Sequence, residues 1–231
     1  MNNINVLLVE DEAILASLVK ETLDTRGFRI TIAENGVEGW SFFNNIKPDI
    51  CVVDVMMPRK DGFSLVADIR KVDPLVPIIF LTAKTQTADV IRGFEVGADD
   101  YMKKPFSVEE LIVRLKSLCR RREISPSDNK MNPSDRMTVG SFEFNYQGLC
   151  LKRDNITTTL SQRETELMKM LIDNKNNLLD RKIALLKIWG DDNPFNARSM
   201  DVYITRLRKH FVDDPSVQIL NIRGYGYKLV D

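Results

Sequence analysis

Cysteine is scarce in this chain: Cys51, Cys119 and Cys150 are all there is among 231 residues. They are widely spaced and odd in number, which argues against a disulfide framework and against a zinc site. Long apolar runs are missing too. The longest, residues 6–9 and 76–82, fall far below the roughly 18 residues a membrane span needs. The start, MNNINVLLVE, has no basic stretch before its short apolar run, so no secretory signal is expected there. A surplus of charge is also absent, with 33 Lys and Arg against 33 Asp and Glu. These absences predict a soluble protein of the reduced cytoplasmic compartment, with no membrane partner.

What is present is enough apolar residue, 43%, beside 29% charged, to bury real cores. The length suits two domains of about 100–150 residues better than one. The neutral total hides an asymmetry. Residues 1–119 carry 14 basic and 18 acidic side chains, residues 120–136 carry 5 and 3, and residues 137–231 carry 14 and 12. The middle stretch, RRREISPSDNKMNPSDR, has two prolines, two apolar residues and no periodicity. It predicts an exposed linker over 120–136 between domains at 1–119 and 137–231.

Before the linker, apolar runs at 6–9, 30–33, 50–53, 78–81 and 101–102 alternate with stretches of helical spacing. Strands apolar throughout and alternating with helices predict a five-stranded parallel sheet covered on both faces. Ser107 to Glu110 supplies a capping box for the last helix. After the linker the pattern changes. Loose alternation over 137–160 predicts a small antiparallel sheet, and Ser161 to Glu164 opens a helix with a second capping box. Further helices are predicted at about 181–189 and 197–211, then a closing hairpin from 218–222 and 227–230.

In an open parallel sheet, ligands bind beyond the carboxyl ends of the strands. Here the first strand runs into Glu10 and Asp11, the third ends in Asp54, the fourth in Thr82, and the fifth runs into Lys103, Lys104 and Pro105. Three converging carboxylates repel one another unless a cation joins them, and hard oxygen ligands suit Mg²⁺. A hydroxyl and an ammonium facing them suit an anion on the metal's far side, which describes a phosphoryl site. Asp54 sits alone on the central strand and is the candidate nucleophile. A phosphatase using an aspartyl phosphate needs a second Asp two residues on, where this chain has Met56.

Residues 4–120 resemble the receiver domain of a two-component response regulator. The resemblance rests on VEDE at 9–12, DVMMP at 54–58 with Asp61 and Gly62, LTA at 81–83, GADDY at 97–101 and KPF at 104–106. It implies a flavodoxin-like fold in which Asp54 accepts a phosphoryl group from a sensor histidine kinase. Glu10, Asp11, Asp54 and the Met56 carbonyl would hold Mg²⁺. Lys104, joined to Pro105 by a cis bond, would pair with a phosphate oxygen. Thr82 would move to the phosphoryl group and let Tyr101 turn inward. The resemblance further implies a homodimer on phosphorylation, with Arg92, Glu95, Asp99, Asp100 and Arg114, together with Lys103 and Arg120, as candidate interface charges.

In the second half, Met200, Ile204, Leu207 and Phe211 predict one buried helical stripe, leaving Ser199, Val202, Tyr203, Arg206 and Lys209 largely off it. A basic, polar and aromatic outer face fits the major groove, and Arg223 at a tight hairpin tip suits a narrow minor groove. Residues 137–231 resemble the winged helix-turn-helix domain of OmpR/PhoB-type transcription factors. The resemblance rests on LSQRE at 160–164, IWG at 188–190, RSMDVYITRLRKHF at 198–211 and IRGYGYKL at 222–229. By that likeness Ser199, Val202, Tyr203 and Arg206 would face bases, Arg198 and Arg208 phosphates, and Arg223 the minor groove. The loop at 190–196 would touch RNA polymerase. The function implied is a non-enzymatic transcription factor that binds promoter direct repeats when phosphorylated. The alternative is a DNA-binding regulator whose receiver serves dimerisation alone.

Overall fold

The apolar runs of the first half become five parallel strands in the computed structural model, which describes residues 3–83, 87–119 and 136–231. The elements are β1 (Ile4–Val9), α1 (Ala13–Asp24), β2 (Phe28–Ala33), α2 (Gly36–Ile46), β3 (Ile50–Asp54), α3 (Gly62–Val72), β4 (Ile78–Thr82), α4 (Thr87–Glu95), β5 (Asp100–Lys103) and α5 (Val108–Cys119). The strand order is β2-β1-β3-β4-β5. Every residue of β3 and β4 is buried, as continuous apolar strands require when helices cover both faces. On one face Val6, Leu8, Val52 and Leu81 pack with Val19 and Leu23 of α1 and Leu111 and Leu115 of α5. On the other, Phe63 of α3 meets Phe80 of β4 edge to face at 5.3 Å between centroids. Each such side chain contributes about 1.5–3 kcal/mol by leaving water.

Helix starts are fixed by side chains the sequence displays. Asn35 accepts from the N–H groups of Val37 and Glu38 at the start of α2, and Asp61 accepts from that of Ser64 at the start of α3. Gly62 follows because space is lacking: a Cβ there would stand 2.2 Å from the Asp54 carbonyl oxygen. Ser107 accepts from the Glu110 N–H, but the Glu110 carboxylate holds Arg114 instead of closing the predicted box.

The described residues fall in two compact units, within 1–123 and 124–231. Apart from Arg136, the predicted linker lies outside the described residues. In the second unit β6 (Arg136–Val139), β7 (Phe142–Asn145), β8 (Cys150–Arg153) and β9 (Ile156–Thr159) form an antiparallel meander. Then come α6 (Gln162–Asp173), β10 (Leu179–Asp180), α7 (Arg181–Trp189), α8 (Pro194–His210), β11 (Gln218–Ile222) and β12 (Gly226–Val230). Ser161 and Glu164 form the predicted capping box. The closing hairpin gains an unpredicted third strand, β10, in the order β10-β12-β11. Helix α8 begins three residues before the predicted start, because Asn193 caps it and Pro194 takes the first turn. The predicted 190–196 loop is corrected accordingly: residues 194–196 are helical. Among the described residues, no helix is long and apolar enough to cross a membrane.

Candidate phosphoacceptor site and DNA-binding surface

The connections from β1 and β2 leave β1 and β3 as neighbours at the point where strand order reverses, so a crevice opens at their carboxyl ends. Glu10 and Asp11 follow β1, and Asp54 closes β3. Their carboxylate oxygens lie within 4.8 Å of one another, with Glu10 and Asp54 buried and Asp11 exposed. Lys104 enters from the end of β5, its Nζ donating to Asp54 Oδ2 at 2.6 Å and Glu10 Oε1 at 2.8 Å. Its peptide bond to Pro105 is cis, as predicted. Burial opposes the Lys104 ammonium, but the hydrogen bonds to Asp54 and Glu10 outweigh it and hold its pKa above the ordinary value. Burial likewise pushes the Glu10 carboxyl up, against the pull of Lys104.

Lys104 Nζ also stands 2.7 Å from Glu10 Oε2, in charge contact. It lacks hydrogen-bond geometry to that oxygen, which is buried without a hydrogen-bond partner. A buried, undonated oxygen beside two further carboxylates fits a hard divalent cation. Receivers of this kind typically use Mg²⁺, and Glu10, Asp11 and Asp54 would supply its protein oxygens. Met56 donates its N–H to Asp54 Oδ1 at 3.0 Å, and its side chain is exposed at the rim. A cavity of about 390 Å³ lined by Val55, Met56, Met57, Asp61, Phe63 and Arg92 opens there.

Thr82 is fully buried at the end of β4 and shares a hydrogen bond with the Tyr101 hydroxyl. Tyr101 already stands inward, 4% exposed, its ring 6.0 Å from Phe80 and 6.1 Å from Phe94. Burial, chiefly, raises its phenol above the ordinary range.

Three of the candidate interface charges are corrected. Asp99 is buried, bonded to Arg70 Nη2 at 2.8 Å and to the Ile78 N–H at 2.9 Å. Asp100 is 1% exposed and takes Arg114 Nη1 on both carboxylate oxygens at 2.9 Å. Arg114, 8% exposed, also holds Glu110. These charges are buried and paired inside the unit. Arg92, Glu95 and Lys103 are exposed, and Arg120 lies outside the described residues.

In the second unit α8 buries more than the predicted stripe. Ser199 and Tyr203 are fully buried beside Met200, Ile204 and Leu207. Neither can reach a base edge, which corrects their predicted role. The reason is that α6 and α7 both cover α8, and Trp189 of α7 meets Tyr203 at 6.1 Å. Val202 and Arg206 are partly exposed and Thr205 and Lys209 exposed. Arg206 lies over the Tyr203 ring at 5.4 Å, and Arg198 over Phe195 at 5.9 Å. Arg208 spends its Nε and Nη2 on the Ile219 carbonyl, at 2.9 and 2.6 Å. Arg223 is exposed at the hairpin tip.

An acidic crevice at the switch point of a doubly wound sheet, joined in one chain to a winged helix, is the domain plan of a regulator with a DNA-binding half. The comparisons agree. The response regulator receiver domain family matches residues 6–116, and the transcriptional regulatory protein C-terminal family matches 155–229. The transcriptional regulatory protein RprY of Bacteroides fragilis is 46% identical over 98% of this chain and 94% of its own length. TrcR of Mycobacterium tuberculosis is 37% identical over 98% and 86%. The crystal structure of DrrB, a Thermotoga maritima OmpR/PhoB homologue, is 27% identical, covers 99% of this chain and 100% of its own, and superposes with a TM-score of 0.51. The chain belongs to the OmpR/PhoB family of response regulators, with a receiver followed by a DNA-binding domain, and its relatives are transcriptional regulators.

Proposed function

We propose that residues 1–119 act as a phosphorylation switch on residues 137–231, through the linker at 120–136, and that Asp54 is the phosphoacceptor. The observation that carries this is the placement of Asp54: a buried carboxylate 2.6 Å from Lys104 and within 4.8 Å of Glu10 and Asp11. An Asp54 oxygen attacks phosphorus on the phosphohistidine of a sensor kinase, the phosphorus–nitrogen bond breaks, and an acyl phosphate remains. Lys104 holds the Asp54 carboxylate and then takes up a phosphoryl oxygen. Thr82 donates to another, giving up Tyr101. Glu10, Asp11 and Asp54, with the Met56 carbonyl, would hold Mg²⁺, which would supply charge neutralisation.

The outcome is a receiver dimer with Arg92 and Glu95 at its surface, placing two winged helices on direct-repeat half-sites. Joining two weak modules raises the effective concentration of the second. Val202 and Arg206 read bases, Arg198 contacts phosphate, Arg223 enters the minor groove, and the turn ahead of α8 meets RNA polymerase. The test is incubation with acetyl phosphate, with Mg²⁺ or EDTA, read by phosphoprotein gel and sedimentation. Wild type labels and dimerises only with Mg²⁺, whereas Asp54→Asn does neither. Phosphate-driven dimerisation of Asp54→Asn would refute the assignment.

A further inference from the structure

One acid stands on α8 among its basic residues: Asp201. On a helix that meets DNA, a carboxylate repels phosphates, so its retention calls for a local purpose. Arg181, the first residue of α7, grips both Asp201 oxygens, Nη1 to Oδ1 at 2.7 Å and Nη2 to Oδ2 at 2.9 Å. Its Nη2 also donates to the Ala197 carbonyl, one turn earlier on α8, at 2.7 Å. The Tyr227 hydroxyl on β12 donates to Asp201 Oδ1 and accepts from Arg181 Nη1. Burial, then the Asp201 carboxylate, pushes the Tyr227 phenol up to about 12, so it remains a donor at neutral pH. The Arg181 N–H donates to the Tyr225 carbonyl at the hairpin tip. Gly226 allows this approach, since a Cβ there would stand 2.1 Å from the Leu179 carbonyl and 2.8 Å from Arg181 N.

We infer that Asp201 is a positioning residue for DNA recognition, clasping Arg181 and Tyr227 so that the hairpin carrying Arg223 is held in register with α8. The inference rests on the reading of α8 and the hairpin as DNA-contacting elements. A lone surface ion pair is worth little. This one is bidentate, carries a tyrosine hydroxyl as a third arm, and joins the start of α7, the middle of α8 and β12. Arg208 already ties α8 to β11 through the Ile219 carbonyl, and Ile219, Tyr227 and Leu229 are buried, so the clasp is a second tie, on β12 beside the exposed tip. An Arg on a loosely held tip loses binding to the cost of ordering it. The clasp thus fixes the separation between the major-groove and minor-groove contacts.

The test uses the full chain and a duplex recovered by repeated selection from a random-sequence library with the wild-type protein. Affinities are measured for wild type, Asp201→Asn, Arg223→Ala and the double variant, with Tyr227→Phe as a milder lesion of the same cluster. In the wild-type background Arg223→Ala weakens binding by about 5- to 150-fold. In the Asp201→Asn background the same change costs less than about threefold, and in Tyr227→Phe an intermediate factor. Equal Arg223→Ala factors in all three backgrounds would overturn the inference, whatever the thermal midpoints, because a merely structural role lowers stability without coupling to Arg223. No effect of Arg223→Ala in wild type would instead sink the minor-groove reading, and the inference with it.

Discussion

Arg114 provides the sharpest test of where the receiver spends its charges. Its side chain is 9% exposed, and its Nη1 sits 2.9 Å from both oxygens of Asp100, whose side chain is 1% exposed. Arg114→Met keeps the apolar stem but leaves Asp100 buried without its cation, and stranding one member of such a pair costs about 3–5 kcal/mol. Asp100 keeps the Tyr101 N–H as a donor at 2.8 Å, which favours the lower end. The Glu110 contact adds little, since that carboxylate is half exposed. For a unit of this size, about 3 kcal/mol lowers the midpoint by roughly 10–15 °C. The chain has two tryptophans, Trp40 in the first unit and Trp189 in the second, so a Trp189→Phe background reports the receiver transition through Trp40 fluorescence. Replacing both partners, Asp100→Leu with Arg114→Met, restores stability to within about 1 kcal/mol of wild type. A midpoint for Arg114→Met unchanged from wild type would refute the internal pairing and return Arg114 to the dimer surface.

Arg206→Ala costs about 1–3 kcal/mol at a single base position in a binding-site selection, and equal losses on specific and random DNA would leave it only a phosphate contact. Tyr203→Phe leaves the selected site unchanged, because the ring is buried; an altered base preference would contradict that burial. Burial pushes the Glu164 carboxyl up, but His210, 3.7 Å away, and the Ser161 cap outweigh it, so its folded pKa is depressed below 4.5. A depressed carboxylate stabilises above its unfolded pKa, and that contribution is lost as pH falls through the folded value. The second unit therefore loses stability in acid below about pH 4.5, and Glu164→Gln flattens that limb of a urea-midpoint profile; an unchanged slope would argue against it.

Much of this architecture was legible because periodicity survives translation into packing. The four-residue apolar runs at 6–9, 50–53 and 78–81 became fully buried stretches of parallel strand, and strand ends located Glu10, Asp54, Thr82 and Lys104. The predicted bounds of α7 and of β11 match, and β12 starts one residue earlier than predicted. Strand β10 was not legible: two residues carry no alternation, and it exists only because Gly226 lets β12 approach Leu179. The early start of α8 had a signal in Asn193 and Pro194, a cap followed by a first-turn proline.

The errors on α8 share one physical cause. A helical stripe taken at spacings of 4, 3 and 4 describes contact with one neighbour, and α8 has two. Tyr203, one residue before Ile204, fills the second contact against Trp189, and Ser199, one turn earlier, lies beside it. A helix covered from two sides needs the wider stripe, roughly 100° or more, and the sequence does show it once Asn196, Ser199 and Tyr203 are added. Charges fail differently. Asp99 meets Arg70 across 29 residues and Asp100 meets Arg114 across 14, so nothing local separates them from the exposed Arg92 and Glu95. Burial decides the matter, since a desolvated carboxylate at the start of β5 must find a cation within its own unit. The acidic surplus of residues 1–119 is therefore a poor measure of surface charge, because several of its carboxylates are neutralised in place. On α4 the exposed charges among the described side chains are Arg92 and Glu95, three residues apart beside a half-buried Asp89, a pairing of opposite signs that a two-fold axis can match to itself.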